Sequence, residues 1–147
     1  MITGMHHFSF TVSNMEESIH FFCDVLGLKA DPPWEMKDNP IEKIVGMPGS
    51  WLKLCNVITP DDNVIELIEY LSPKGKTIDL STCNPGVAHL GFKVDDIEKT
   101  YRELMRKGLK FDEGPIPIPS EPGNPLAVLG YIKGPDNITI EFIGPLK

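Results

Sequence analysis

Residues 7–17 read HFSFTVSNMEE and residues 89–99 read HLGFKVDDIEK; slid by one constant offset, they agree at His7/His89, Phe10/Phe92, Val12/Val94 and Glu16/Glu98. Further along, PDDNVIELI (60–68) and PDNITIEFI (135–143) agree at Pro60/Pro135, Asp61/Asp136, Ile65/Ile140, Glu66/Glu141 and Ile68/Ile143. The chain is therefore internally doubled. Two histidines and two glutamates, all capable of binding a metal, hold matching places in the two copies.

Each histidine opens a run with period-two alternation. Phe8, Phe10 and Val12 point one way and His7, Ser9, Thr11 and Ser13 the other; the second copy sets Ala88, Leu90, Phe92 and Val94 against His89, Gly91 and Lys93. These are half-buried strands whose histidines lie opposite the apolar row. A helix follows each: Asn14 starts one and Asp95 or Asp96 the other, both with early carboxylates that suit the N-terminal dipole, and Gly27 and Gly108 close them. Ile19, Phe22, Val25 and Leu26 form the apolar stripe of the first helix, and Ile97, Tyr101, Leu104 and Met105 that of the second.

The rest of each half reads as strands, over 28–34, 51–57 and 64–70 in the first and 110–113, 127–132 and 138–143 in the second. The fold predicted is α+β: two tandem βαβββ modules forming a curved mixed sheet, an open cup with helices outside. One domain spans 1–147, with module 1 at 4–72, a Pro-, Gly-, Ser- and Thr-containing linker at 73–85, and module 2 at 86–147. The segment holding Pro115, Pro117, Pro119, Pro122 and Pro125 is too proline-dense for a central strand and reads as a wall or lid over the site.

The net charge of -7, with no basic run longer than MRKGLK, gives no footprint for nucleic acid or an anionic membrane. The start MITGMHHF lacks the layout of a secretory signal and no segment is apolar enough to span a bilayer, which points to a cytoplasmic protein. Cys23, Cys55 and Cys83 are odd in number and widely spaced, so they read as reduced packing residues. Half-units of this size gain by sharing sheet edges, which favours a homodimer, with the cup formed either within or between chains.

If two such units pair about a pseudo-twofold axis, His7, Glu66, His89 and Glu141 meet on one concave face. Glu66 and Glu141 are flanked by Ile, Leu and Phe, and an unpaired carboxylate in that setting costs several kcal/mol, roughly. A divalent cation is the economical partner.

These segments resemble the vicinal oxygen chelate superfamily, which includes glyoxalase I, methylmalonyl-CoA epimerase, extradiol dioxygenases, fosfomycin-modifying enzymes and bleomycin-binding proteins. HFSFTVSNMEESIHFFCDVLGL is similar to the family's opening strand and helix, VIELIEY to its fourth strand, VAHLGFKVDDIEK to its fifth strand and following helix, and YIKGPDNITIEFI to its closing hairpin. The resemblance covers almost the whole chain. It implies one divalent ion (Ni, Co, Zn, Mn or Fe) held by His7, Glu66, His89 and Glu141, the positions matching the family's ligands. The implied chemistry is that of a metal-dependent lyase or isomerase of the glyoxalase or epimerase type: vicinal oxygens of a small-molecule substrate chelate the ion, and an enolate or enediolate is stabilised. Glu141 or Glu66 would be the base, as in the glyoxalase branch; Glu35 and Glu42 are other candidates.

Two readings compete. An Fe(II) extradiol-type dioxygenase wants a two-His, one-carboxylate triad with open positions, and a fourth ligand at Glu66 argues against it. A non-catalytic binding protein of the bleomycin-resistance kind need not keep four ligands. The segment YIKGPDN also lacks the His-Pro variant of the epimerase, which argues against methylmalonyl-CoA as substrate. For single residues, alternation sends His6 to the opposite face, His20 reads as a surface or packing residue, and Glu69 as a solvent-facing charge. Strand parity leaves open whether Lys53 and Cys55 face cavity or core.

Overall fold

The two copies of the repeat build sheets of the same order. The computed structural model describes all 147 residues, and the chain divides into two compact units, Met1–Thr77 and Ile78–Lys147, the division falling within the 73–85 stretch. The first unit runs β1 (Phe8–Thr11), α1 (Met15–His20), a π-helical turn (Phe21–Val25), β2 (Lys29–Ala30), β3 (Trp34–Lys37), α2 (Ile41–Val45), β4 (Trp51–Ile58) and β5 (Val64–Ser72). The second runs β6 (His89–Lys93), α3 (Ile97–Arg106), β7 (Ile116–Ile118), β8 (Leu126–Lys133), a 3-10 turn (Pro135–Asn137) and β9 (Thr139–Pro145). The fold is α+β with two mixed sheets, and no helix is long and apolar enough to cross a membrane.

In the first sheet the order is β1-β5-β4, with β2 and β3 sharing the far edge of β4; in the second it is β6-β9-β8-β7. The first strand of each unit is parallel to the last, and the remaining pairs are antiparallel. The repeated Pro-Asp words are the hairpin turns. Thr59 N–H donates to Asn63 O at 3.0 Å and Asp62 N–H to Thr59 O at 3.0 Å; Gly134 N–H to Ile138 O at 2.9 Å and Asn137 N–H to Gly134 O at 3.2 Å reproduce both bonds. Asp62, Asp136 and Asn137 have positive φ, a conformation Asp and Asn tolerate better than most residues.

Both helices start where the sequence places them. Asn14 Oδ1 accepts the Glu17 N–H at 3.1 Å and Asp96 Oδ1 that of Lys99 at 2.8 Å, which selects Asp96 over Asp95 as the cap. Gly27 and Gly108 follow the helical segments with φ of 82° and 92°. The buried face of the first helix is Met15, Ser18 and Phe22, while Ile19 is half-buried, as are Val25 and Leu26, where the helix widens into a π turn from Phe21 and rotates the side chains that follow. In α3, Ile97 and Leu104 are buried, Tyr101 packs edge-on against Phe111 at 5.5 Å, and Met105 is exposed.

Val12, Met15 and Phe22 cover the face of the first sheet made by Cys55, Val57, Ile65 and Leu67, all buried. Full burial of a side chain such as Phe22 contributes about 1.5–3 kcal/mol. Ile97 and Leu104 do the same over Ala127, Leu129, Ile132, Ile140 and Phe142. The opposite face of the first sheet has its own apolar layer, in which α2 places Ile41 and Val45 against Leu52, Leu54, Met36, Ile68 and Tyr70.

Three sequence expectations need correction. The strand predicted over 28–34 is broken after Ala30 by Asp31-Pro32-Pro33 and resumes at Trp34. Residues 110–113 form no strand; the outer strand of the second sheet is β7, inside the proline-rich segment, where an edge position tolerates the missing N–H of Pro117. Glu69 is not a solvent-facing charge. Its side chain is 12% exposed, accepts the Met15 N–H at 3.1 Å at the start of α1, and pairs with Lys74 at 3.2 Å.

Burial pushes the Cys55 thiol up to about 11, and burial raises Cys23 as well, whereas Cys83 is exposed. A thiol reacts as its thiolate. Iodoacetamide at pH 8 should therefore label Cys83 first and leave Cys55 unmodified until the chain is denatured, as read by intact mass; early labelling of Cys55 would contradict this packing.

Candidate functional site

The parallel pairing of first and last strand brings each histidine to its glutamate. In the first unit Ser9 is the register partner of Glu66, and His7, two residues earlier, lies diagonally across, with Nε2 at 3.5 Å from Glu66 Oε2. In the second, Gly91 is the partner of Glu141, and His89, again two residues earlier, has Nε2 at 3.7 Å from Glu141 Oε2. The two pairs match in exposure as well, with side chains 38% and 18% exposed in the first and 41% and 21% in the second.

At 3.5 and 3.7 Å these are not well-formed hydrogen bonds. Two ligands each about 2.1 Å from one ion, at the 90° to 109° angles of octahedral or tetrahedral coordination, lie roughly 3.0–3.4 Å apart. Each pair is thus close to the spacing of two donors on a single cation, and imidazole with carboxylate is a donor set that suits divalent transition metals. The chain brings together one imidazole and one carboxylate in each unit; no group of three or more His, Cys, Asp or Glu side chains suited to an ion is present.

The surroundings differ between the pairs. Ser9 Oγ donates to Glu66 Oε2 at 3.3 Å, and Asn56 sits directly opposite Glu66 in the register. In the second unit Gly91 has no side chain, and a Cβ there would stand 3.5 Å from Glu141 Oε2. The ladder between β8 and β9 is irregular between Leu129 and Ile132, so Gly130 and Tyr131 both stand against Glu141. Such a bulge re-aims a side chain. The exposed Tyr131 ring rests on His89, with centroids 5.0 Å apart and a tilt of 46°.

The remaining candidates are placed as follows. His6 contacts the back of His7, Nδ1 to Nδ1 at 2.8 Å, so one ring donates and the other accepts. His20 pairs with Asp24 at 2.7 Å in the open. Glu35 accepts the Trp51 Nε1–H at 2.7 Å and is the register partner of Lys53, on the α1 side of the sheet and away from Glu66. Glu42 accepts the Gly49 N–H at 2.5 Å and closes the loop after α2. Lys53 and Cys55 belong to the core side: Lys53 bonds Glu16 of α1 and through that bond holds the Glu16 carboxyl below its usual range. Tyr131 and Lys93 were not singled out from the sequence. The Gly130-Tyr131 pair, standing where the first copy has the single residue Asn56, was the available signal.

The sequence profile of the glyoxalase/bleomycin resistance protein/dioxygenase superfamily matches residues 4–142. Over 141 residues the chain is 27% identical to a probable chloroplastic lactoylglutathione lyase of Arabidopsis thaliana, a match covering 95% of the chain and 35% of that relative, so the chain spans about a third of its length. Among solved structures, a glyoxalase family protein from Bacillus cereus superposes with a TM-score of 0.81 at 22% identity, covering 100% of this chain and 97% of that one. A genomically encoded fosfomycin resistance protein from Listeria monocytogenes, solved with Mn(II) and sulfate, gives a TM-score of 0.57 at 14% identity, covering 98% and 93%.

Proposed function

We propose a function from one premise: the chain belongs to the glyoxalase/bleomycin resistance protein/dioxygenase superfamily. The reading is a metal-dependent lyase or isomerase of the glyoxalase type, with His7, Glu66, His89 and Glu141 as ligands of one divalent ion and a small substrate bearing vicinal oxygens. The observation that carries it is the pair of His–Glu contacts at 3.5 and 3.7 Å, set by the same register in both copies and each near the spacing of two donors on one cation. A distant lactoylglutathione lyase relative supports the choice of branch. When bound, the ion would polarise the substrate oxygens and lower the cost of forming an enolate.

The chain's own residues divide the remaining work. Glu66 Oε2 takes a hydrogen bond from Ser9, which favours a fixed carboxylate. Glu141 lies beside a glycine and a bulge, with room to turn, and so is the better base for a proton next to a carbonyl. Tyr131 on His89 restrains that imidazole. The proposed assembly is a homodimer, checked by sedimentation.

Two measurements test the reading. Elemental analysis of fresh and reconstituted protein should give about one divalent ion per chain. Proton-exchange NMR of the metal-loaded protein with 2-oxoaldehyde hemithioacetals, acyl-CoAs and catechols should show solvent deuterium entering one carbon-bound position without oxygen consumption. No ion after reconstitution would sink the enzymatic reading, and oxygen uptake with a catechol would replace it with a dioxygenase.

A further inference from the structure

We infer that Lys93 is an anion subsite, so that the substrate carries, apart from its vicinal oxygens, a second group that is a carboxylate or another anion. The inference rests on the reading of His89 and Glu141 as ion ligands. Along β6, His89, Gly91 and Lys93 share one face, while Phe92 turns to the other and stacks on Phe142 at 6.0 Å. Lys93 is the register partner of Ile143, two residues beyond Glu141 on the same face of β9, and Val128 lies opposite Ile143 on β8.

Lys93 is exposed. Three cations of the chain have carboxylate partners, Lys53 with Glu16, Lys74 with Glu69 and Arg102 with Glu98, and Lys93 is among those that have none. Its register neighbours Ile143 and Val128 are apolar and half-buried, so they offer its ammonium no anionic partner. Glu141, the carboxylate on that face, is turned to His89. The first unit has His7, Ser9 and Thr11 at the corresponding places, so the cation belongs to the second copy alone.

Gly91 gives the arrangement its length. Four residue steps along the strand separate His89 from Lys93, about 13 Å at the usual rise. The residue midway has no side chain, and the strand between the two ends is bare backbone beside Glu141. A short carbon chain can lie there, with its oxygens toward His89 and Glu141 and its anionic end toward Lys93.

The test uses the full chain loaded with its divalent ion and three probes with the same chelating end: 2-oxoglutarate, 2-oxo-4-phosphonobutanoate and the uncharged-tail control 2-oxovalerate. Calorimetry should show the two charged-tail probes binding about 10-fold more tightly than the control, the size expected of one charge-assisted contact. Lys93→Ala should abolish that preference and leave 2-oxovalerate unchanged, while Lys93→Arg retains it; the tighter of the two charged probes names carboxylate or phosphonate as the anion. Equal binding of all three probes, or a preference that survives Lys93→Ala, would overturn the subsite. Failure to retain an ion defeats the ligand reading instead. Lys93 is then decided by amide NMR of the ion-free chain: shifts at Gly91 and Lys93 with glutarate but not with its neutral diamide support the subsite, and their absence overturns it.

Discussion

Glu141→Gln should lower solvent deuterium uptake by about 100- to 10,000-fold, the range ordinarily supplied by a positioned general base. The amide keeps an oxygen that can still bind the ion but cannot accept the substrate proton. The same exchange at Glu66 should cost much less, because Glu66 already takes the Ser9 hydroxyl at 3.3 Å and is held in place, whereas Glu141 has a bare glycine beside it. Ion content is measured on the same samples: both glutamine variants should retain the ion, while Glu141→Ala and Glu66→Ala should each weaken retention about 10-fold or more. Equal loss of exchange from both glutamine variants would remove the assignment of Glu141 as the base.

Gly144→Ala should destabilise the second unit by about 3 kcal/mol, the upper end of ordinary overpacking costs. A Cβ at Gly144 would stand 2.6 Å from Val94 Cγ2 and 2.7 Å from the Val94 carbonyl oxygen. The side chain could rotate, but the carbonyl belongs to backbone tied into the sheet, since the Val94 N–H donates to Ile143 O at 2.9 Å. For a chain of this length the melting temperature should fall by roughly 6–12 °C. Gly114→Ala serves as the control: nothing lies within 4 Å of its Cβ, and the change should stay within about 0.5 kcal/mol. A Gly144→Ala protein that melts with the parent would show that β9 and the end of β6 do not approach as closely as described.

The duplication, the helix caps and the hairpin turns were legible because each is a local event. Asn14 and Asp96 cap the backbone three residues on, and the Pro-Asp turns close within five residues. The His–Glu pairing was legible at one remove, since equal spacing in two copies implies equal register. What escaped depends on partners far along the chain. Glu69 is a charge one would expect in solvent, yet it shares the strand face of the buried Ile65 and Leu67 and its carboxylate finds the N-terminus of α1, 54 residues away in sequence. Helix α2, at five residues, is too short to show a period, and its apolar side chains have meaning only against Leu52 and Leu54. Tyr131 was invisible because the copies differ at its position and because the irregular register, not its residue type, brings it to His89.

That irregularity also bears on how two tandem copies can drift apart. In the first sheet one residue, Asn56, separates the buried Cys55 and Val57, which pair with Leu67 and Ile65; in the second, two residues separate Leu129 and Ile132, which pair with Phe142 and Ile140. The second copy therefore carries one additional residue at this spot. In an uninterrupted strand such an insertion would turn every side chain beyond it to the wrong face. Gly130 and Tyr131 absorb it, so both apolar faces and the placement of Glu66 and Glu141 are kept while one copy has an aromatic ring that the other lacks.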